Sequence, residues 1–157
     1  AWGFRVGFIS YGIKCGGKAL YDALAAKTGG AVRGCISNAP HLSQSLVLKA
    51  LQSSEYEIEK RINAAKIEER YRKVKEILGK RPELSEYFDA LPFNSGYFMC
   101  IRLKKHNAEE IRQKLLNEYN TGLIAFQEKG LLRIAFSSLA AEKMDRLFDN
   151  IYQACRR

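Results

Sequence analysis

Leu123-Ile124-Ala125-Phe126-Gln127-Glu128-Lys129-Gly130-Leu131-Leu132-Arg133-Ile134-Ala135-Phe136-Ser137 is the stretch around which the rest of the chain can be ordered. Two apolar runs of strand length, 123–127 and 131–137, flank Glu128-Lys129-Gly130. A short connection ending in glycine between two such runs predicts a β-hairpin. Upstream, Gly96 to Leu103 predicts a further strand. Between strand and hairpin, Asn107 is a good N-cap with Glu110 three residues on, and Ile111, Leu115 and Tyr119 form one helix face closed by Gly122. Downstream, Ser138 is placed to cap a last helix whose Met144, Leu147, Phe148, Ile151, Tyr152 and Cys155 share one face. Strand, helix, hairpin, helix predicts a small α/β sandwich with a mostly antiparallel sheet.

The earlier half reads differently. Arg5 to Tyr11 alternates as a strand does, Lys18 to Lys27 has helical spacing with Gly29-Gly30 as its stop, and a second helix starts after Pro40. After a break near Ser53-Ser54 a long helix follows, with Ile58, Ile62 and Ala65, then Ile67, Tyr71, Val74 and Leu78. Its apolar seam slips between Ala65 and Ile67, as in a helix that bridges two packed bodies. Arg81-Pro82 ends it. The expected organisation is therefore residues 1–53, a bridging helix over 54–82, and a domain over 83–157.

Composition narrows the function classes. The 157 residues are 46% hydrophobic and 27% charged, which excludes a disordered chain. A chain of this size buries roughly 70% of its unfolded surface and needs no disulfide. The longest apolar runs are strand-sized, so no membrane span is expected. The first residues lack a secretory layout, and the absence of an initiator Met points to a piece of a longer chain. Cys15, Cys35, Cys100 and Cys155 show no CxxC, and neither His41 nor His106 has ligand spacing to them. Reduced, mostly buried thiols in the cytoplasm, with no metal site, are expected. The net charge of +9 raises nucleic acid as a partner. Yet residues 54–83 interleave nine basic with seven acidic residues, as a solvated helix face does, and no aromatic nucleic-acid motif accompanies the charge. Residues 1–53 hold six basic residues against Asp22 alone, which suits an anionic ligand or an acidic surface.

Gly12-Ile13-Lys14-Cys15-Gly16-Gly17-Lys18 satisfies the phosphate-loop pattern between a predicted strand and helix. Ala19 stands where a metal-binding hydroxyl is needed, and no strand ending in Asp follows. A glycine-rich turn is the expectation. Ser43 and Ser45 beside His41 lack a nucleophile elbow, so His41 reads as a packing or capping residue and Cys100 as a core residue. Two arginines in apolar surroundings are more informative. Arg5 lies between Phe4 and Val6, and Arg133 shares a strand face with Leu131 and Ala135. A guanidinium keeps its charge and needs an anion when buried. That anion is either a structural carboxylate or a ligand held bidentately.

Trp2-Gly3-Phe4-Arg5-Val6-Gly7-Phe8, Ser37-Asn38-Ala39-Pro40, Asn94-Ser95-Gly96-Tyr97-Phe98 and Leu132-Arg133-Ile134-Ala135-Phe136-Ser137 occur in the order found in class I aminotransferases. The chain resembles the carboxyl-terminal part of these fold-type-I enzymes, which depend on pyridoxal 5′-phosphate. The resemblance implies that 1–53 is a remnant of the large cofactor-binding domain and 83–157 the small domain. It implies Arg5 as a contact of the cofactor phosphate and Arg133 as the clamp on the substrate α-carboxylate. It also implies amino acids and 2-oxo acids as substrates, amino transfer as the reaction and a homodimer as the complete enzyme. The Schiff-base lysine of the family would precede Ala1, so the chain by itself is expected to be inactive, with no catalytic residue of its own. Where aspartate-specific members carry an arginine after the SN-x-P motif, this chain has Ser43-Gln44-Ser45, against a dicarboxylate substrate. A sister lyase or decarboxylase, or a non-catalytic folding or dimerisation module, are the alternatives.

Overall fold

The computed structural model describes residues 2–94 and 96–156, with the side chain of Trp2 left aside. Over these residues the chain forms α1 (Lys18–Cys35), α2 (His41–Leu51), α3 (Tyr56–Lys80), β1 (Phe88–Ala90), β2 (Met99–Leu103), α4 (Ala108–Tyr119), β3 (Ile124–Phe126), β4 (Leu131–Ile134) and α5 (Met144–Arg156). Two compact units divide at Ile58 and Glu59. Ser95, which figures in one of the motifs above, lies outside the described residues, as do Ala1 and Arg157.

In the second unit the hairpin becomes part of a four-stranded antiparallel sheet of order β1-β2-β4-β3. Register follows from period two. Met99 faces Ile134 and Ile101 faces Leu132, all four buried, while Cys100 faces Arg133 on the opposite side. One sheet face is thus wholly apolar and is covered by α4, α5 and the later turns of α3. Leu115 of α4, Phe148 and Ile151 of α5 and Val74 of α3 all reach full burial there. The α5 face expected from the sequence is the one buried, with Ala154 added to it and Tyr152 at its edge. Asn107 caps α4 as expected, its side-chain oxygen accepting from the Glu109 and Glu110 amides at 2.9 and 3.3 Å. The Glu109 carboxyl is drawn down to about 2 by the Arg112 guanidinium one turn along the helix.

Several local expectations are corrected. Helix α4 closes on Asn120, which takes the left-handed conformation at φ 49°, and not on Gly122. Ser138 does not cap the last helix: its hydroxyl donates to the Ala135 carbonyl at 2.8 Å within a short 3₁₀ turn, and α5 starts at Met144. The hairpin connection is Gln127–Gly130, one residue longer than the sequence suggests, with Gly130 left-handed at φ 61°. The strand expected over 96–103 starts at Met99. Strand β1 is new; at three residues it has too little alternation to be legible, and it is fixed by Phe88 opposite Leu103.

In the first unit, α1 runs through Gly29-Gly30 to Cys35. Two glycines cost a helix about 1 kcal/mol each without forbidding it. Residues 5–11 form no strand, because a strand exists by pairing and the four-stranded sheet of the described residues lies in the other unit. Phe8 and Ile9 in that segment are strongly exposed, and neither α1 nor α2 buries a residue. The seam slip in α3 has a counterpart in burial. Ile62 is exposed, whereas Ile67, Tyr71, Val74, Ile77 and Leu78 belong to or pack on the core of the second unit.

Candidate functional site

Arg133 stands on β4 between two buried neighbours, Leu132 and Ile134, so alternation turns its side chain to the face away from the core. Leu131 and Ala135 share that face, as alternation requires, and both are half-buried. Cys100 of β2 and Ile124 of β3 are its cross-strand partners. The guanidinium carbon lies 4.5 Å from the centre of the Phe98 ring and 6.0 Å from that of Phe126. Both are within cation–π range. Among the described residues no carboxylate pairs with Arg133, so the alternative of a structural ion pair is not realised. A half-buried guanidinium held by ring faces keeps its N–H donors for an anion.

The ring contacts rest on backbone that is itself tied down. The Ser137 amide donates to the Tyr97 carbonyl at 3.3 Å, and Arg70 of α3 donates to the Ser137 carbonyl. The segment carrying Phe98 is therefore fixed against the end of the arginine strand. In sequence, Phe126 is a strand residue and nothing more. Its place on the arginine's face follows from the register Ile124 to Arg133 and Phe126 to Leu131, which the true length of the hairpin connection sets.

Arg5 lies in the first unit, at φ 55°, just after a 3₁₀ turn over Trp2–Phe4. Its exposed side chain borders a recess of about 190 Å³ shared with Gly7, Pro40, Ser43 and Gln44. The Arg5 motif and the Ser37–Pro40 motif, far apart in sequence, thus meet at one recess. The second of them is a tight turn: Ser37 is left-handed at φ 64°, Arg33 donates to its hydroxyl at 3.1 Å, and Asn38 accepts from the Ala39 amide at 3.1 Å. Around the recess, the Arg5 guanidinium and the Ser43 hydroxyl offer donors that suit a phosphate, and the Gln44 amide, which donates one bond to the Pro40 carbonyl at 3.3 Å, has a second N–H to add.

A model of the family "Aminotransferase class I and II" matches residues 1–151. The chain belongs to this family. Its fold is that of solved aminotransferases. The chain is similar to an aminotransferase from Anaerococcus prevotii, with 21% identity and a TM-score of 0.69 over 90% of this chain and 33% of that one. It is also similar to LysN, an α-aminoadipate aminotransferase from Thermus thermophilus in complex with N-(5′-phosphopyridoxyl)-L-leucine, with 20% identity and a TM-score of 0.69 over 85% of this chain and 36% of that one. The chain thus spans about a third of the length of each. A search of curated proteins gives no match.

Two readings of this aminotransferase-family chain are corrected: His41 is exposed, with Pro40 at the cap position of α2, and Cys100 is half-buried on the Arg133 face of the sheet, outside the core. Gly12–Gly17 is a turn closed by the Gly16 amide on the Ile13 carbonyl at 3.1 Å, with the Tyr21 hydroxyl on Ile13 as well. Lys18 opens α1 and pairs with Asp22 at 2.6 Å along its own helix, so it does not reach back over the loop. Cys15 and Cys35 are exposed, which corrects the expectation of mostly buried thiols. Cys155 is buried, and burial pushes its thiol up to about 11. Among the described residues no three potential ligands gather for a metal, and no helix is long and apolar enough to cross a membrane.

Proposed function

We propose that this chain is the part of a pyridoxal-phosphate-dependent aminotransferase that carries the substrate-carboxylate clamp, Arg133, and a cofactor-phosphate anchor, Arg5. The observation behind the proposal is the half-buried Arg133 guanidinium, held by the Phe98 and Phe126 rings on a paired strand and lacking any carboxylate partner among the described residues. Such a group binds a carboxylate with two parallel N–H donors and orients it, so that the rest of the amino acid has one direction left to take. At Arg5 the donor set suits a phosphate, and the guanidinium with Ser43 and Gln44 would hold that end of the cofactor. The bound cofactor supplies an electron sink for amino acid chemistry.

In this reading the cofactor-bearing lysine belongs to a segment before Ala1, and that lysine would handle the proton that moves at the substrate α-carbon. Residues 1–53 then belong to the cofactor-binding domain, 54–82 to a bridging helix and 83–157 to the small domain of a cytoplasmic homodimer. Ser43-Gln44-Ser45 adds no second cation and argues against a dicarboxylate substrate. The complete protein, given an amino acid and a 2-oxo acid, should produce the amino acid corresponding to that oxo acid, as chromatography of the products would show. Elimination or decarboxylation products without a new amino acid would overturn the reaction assigned. By themselves the 157 residues should keep no stoichiometric cofactor through dialysis, and borohydride trapping should label scattered lysines. One exposed arginine with a hydroxyl and a side-chain amide retains a phosphate only weakly. Stoichiometric trapping on a single residue such as Lys18 would contradict this and make the Gly12–Lys18 turn a phosphate site.

A further inference from the structure

We propose that the second unit carries a separate site for a small organic anion with an apolar body, in the cavity between the α4–β3 loop and α5. The cavity holds about 320 Å³. That is at the lower end of the roughly 300–1,000 Å³ of small-molecule sites, room for a small organic acid. Leu123, Leu139 and Leu147 give it an apolar floor, and Lys143 and Arg146 stand on its wall. No acidic residue lines it.

The charge around α5 is sorted in a way that leaves those two cations uncompensated. Asp145 pairs with Lys73 at 2.9 Å and Asp149 with Arg81 at 2.6 Å, so both acids of the helix are engaged on α3 and at its end. Lys143 and Arg146 have no such partner among the described residues, and Glu142 next to them does not line the cavity. Helical spacing sets Arg146 and Asn150 on one side of α5, above the cavity. The Asn150 amide donates to the Thr121 hydroxyl at 2.8 Å and to the Tyr119 carbonyl at 3.5 Å, which ties the loop forming the opposite wall to the helix. Two cations facing a shaped, partly apolar hollow attract an anion and favour one whose body fills the floor. Arg133 does not line the cavity, so the site is independent of the carboxylate clamp.

The probe is 3-phenylpropanoate titrated into the ¹⁵N-labelled 157-residue chain, with acetate and neutral 3-phenylpropanamide as comparisons. The expected result is saturable amide shifts at Thr121, Ser138, Arg146 and Asn150, at least tenfold weaker affinity for the amide and for acetate, and a similar loss in a K143Q/R146Q double variant. Both substitutions fall on exposed side chains, and unchanged amide signals elsewhere would show that the fold is kept. An R133A variant should bind the probe as the parent chain does. Equal affinity for the amide, persistence in K143Q/R146Q, loss in R133A, or no saturable shift would each overturn the proposal.

Discussion

Phe136→Ala will cost the second unit about 3–5 kcal/mol, the range for emptying a large aromatic site in a packed core. Phe136 is fully buried two residues after the end of β4. Its ring lies 6.0 Å from that of Phe93, which in turn meets Tyr71 of α3 edge-on at 5.4 Å. The loss therefore falls where the sheet, the segment before β2 and α3 share one cluster, and none of the three can close the gap without moving. Against a total stability of roughly 5–15 kcal/mol, this removes a large share of the margin, at least about a fifth of it. Leu42→Ala in the first unit, where the side chain is 71% exposed, should change stability by no more than about 0.5 kcal/mol. Urea unfolding of the two variants measures both. A loss below about 1 kcal/mol for Phe136→Ala would contradict the core described above.

The contrast between these two sites also explains which parts of the fold are legible in sequence. Where a long segment packs on neighbours within the same unit, its pattern guides best. The α5 face and the Asn107 cap hold, and Arg133 shares its strand face with Leu131 as alternation requires, whereas the shorter signals at Ser138 and Gly122 in that unit do not hold. Where the outcome depends on a partner, the pattern misleads. Arg5–Tyr11 has the alternation of a strand, yet alternation does not supply a neighbour to pair with. Gly29-Gly30 reads as a stop only while propensity is weighed without the helix on either side. The site divides in the same way. Arg133 is visible as a charge among apolar residues, and Phe98 falls within a motif. Phe126 needs a register that a one-residue change in hairpin length would alter. The recess at Arg5 needs the chain to bring residues 5 and 40 together, which no local pattern records.

Replacing Arg133 by alanine in the complete enzyme is the second large effect. A charge-assisted bidentate contact whose partner charge is left without a counterion costs about 2–5 kcal/mol. At 1.4 kcal/mol per factor of ten this is a loss of about 30-fold to several thousand-fold in amino-acid binding. Cofactor affinity should stay near that of the parent, because the proposal assigns the phosphate to Arg5 and not to Arg133. Arg5→Ala should do the reverse, loosening the cofactor with little direct effect on the substrate carboxylate. Side-by-side dissociation constants for amino acid and for pyridoxal 5′-phosphate in the two variants test the account most directly. The expected result is a crossed pattern, substrate binding lost in one and cofactor binding in the other. Unchanged substrate saturation in Arg133→Ala would contradict it and leave Arg133 as a cation held by two rings with no anion to bind.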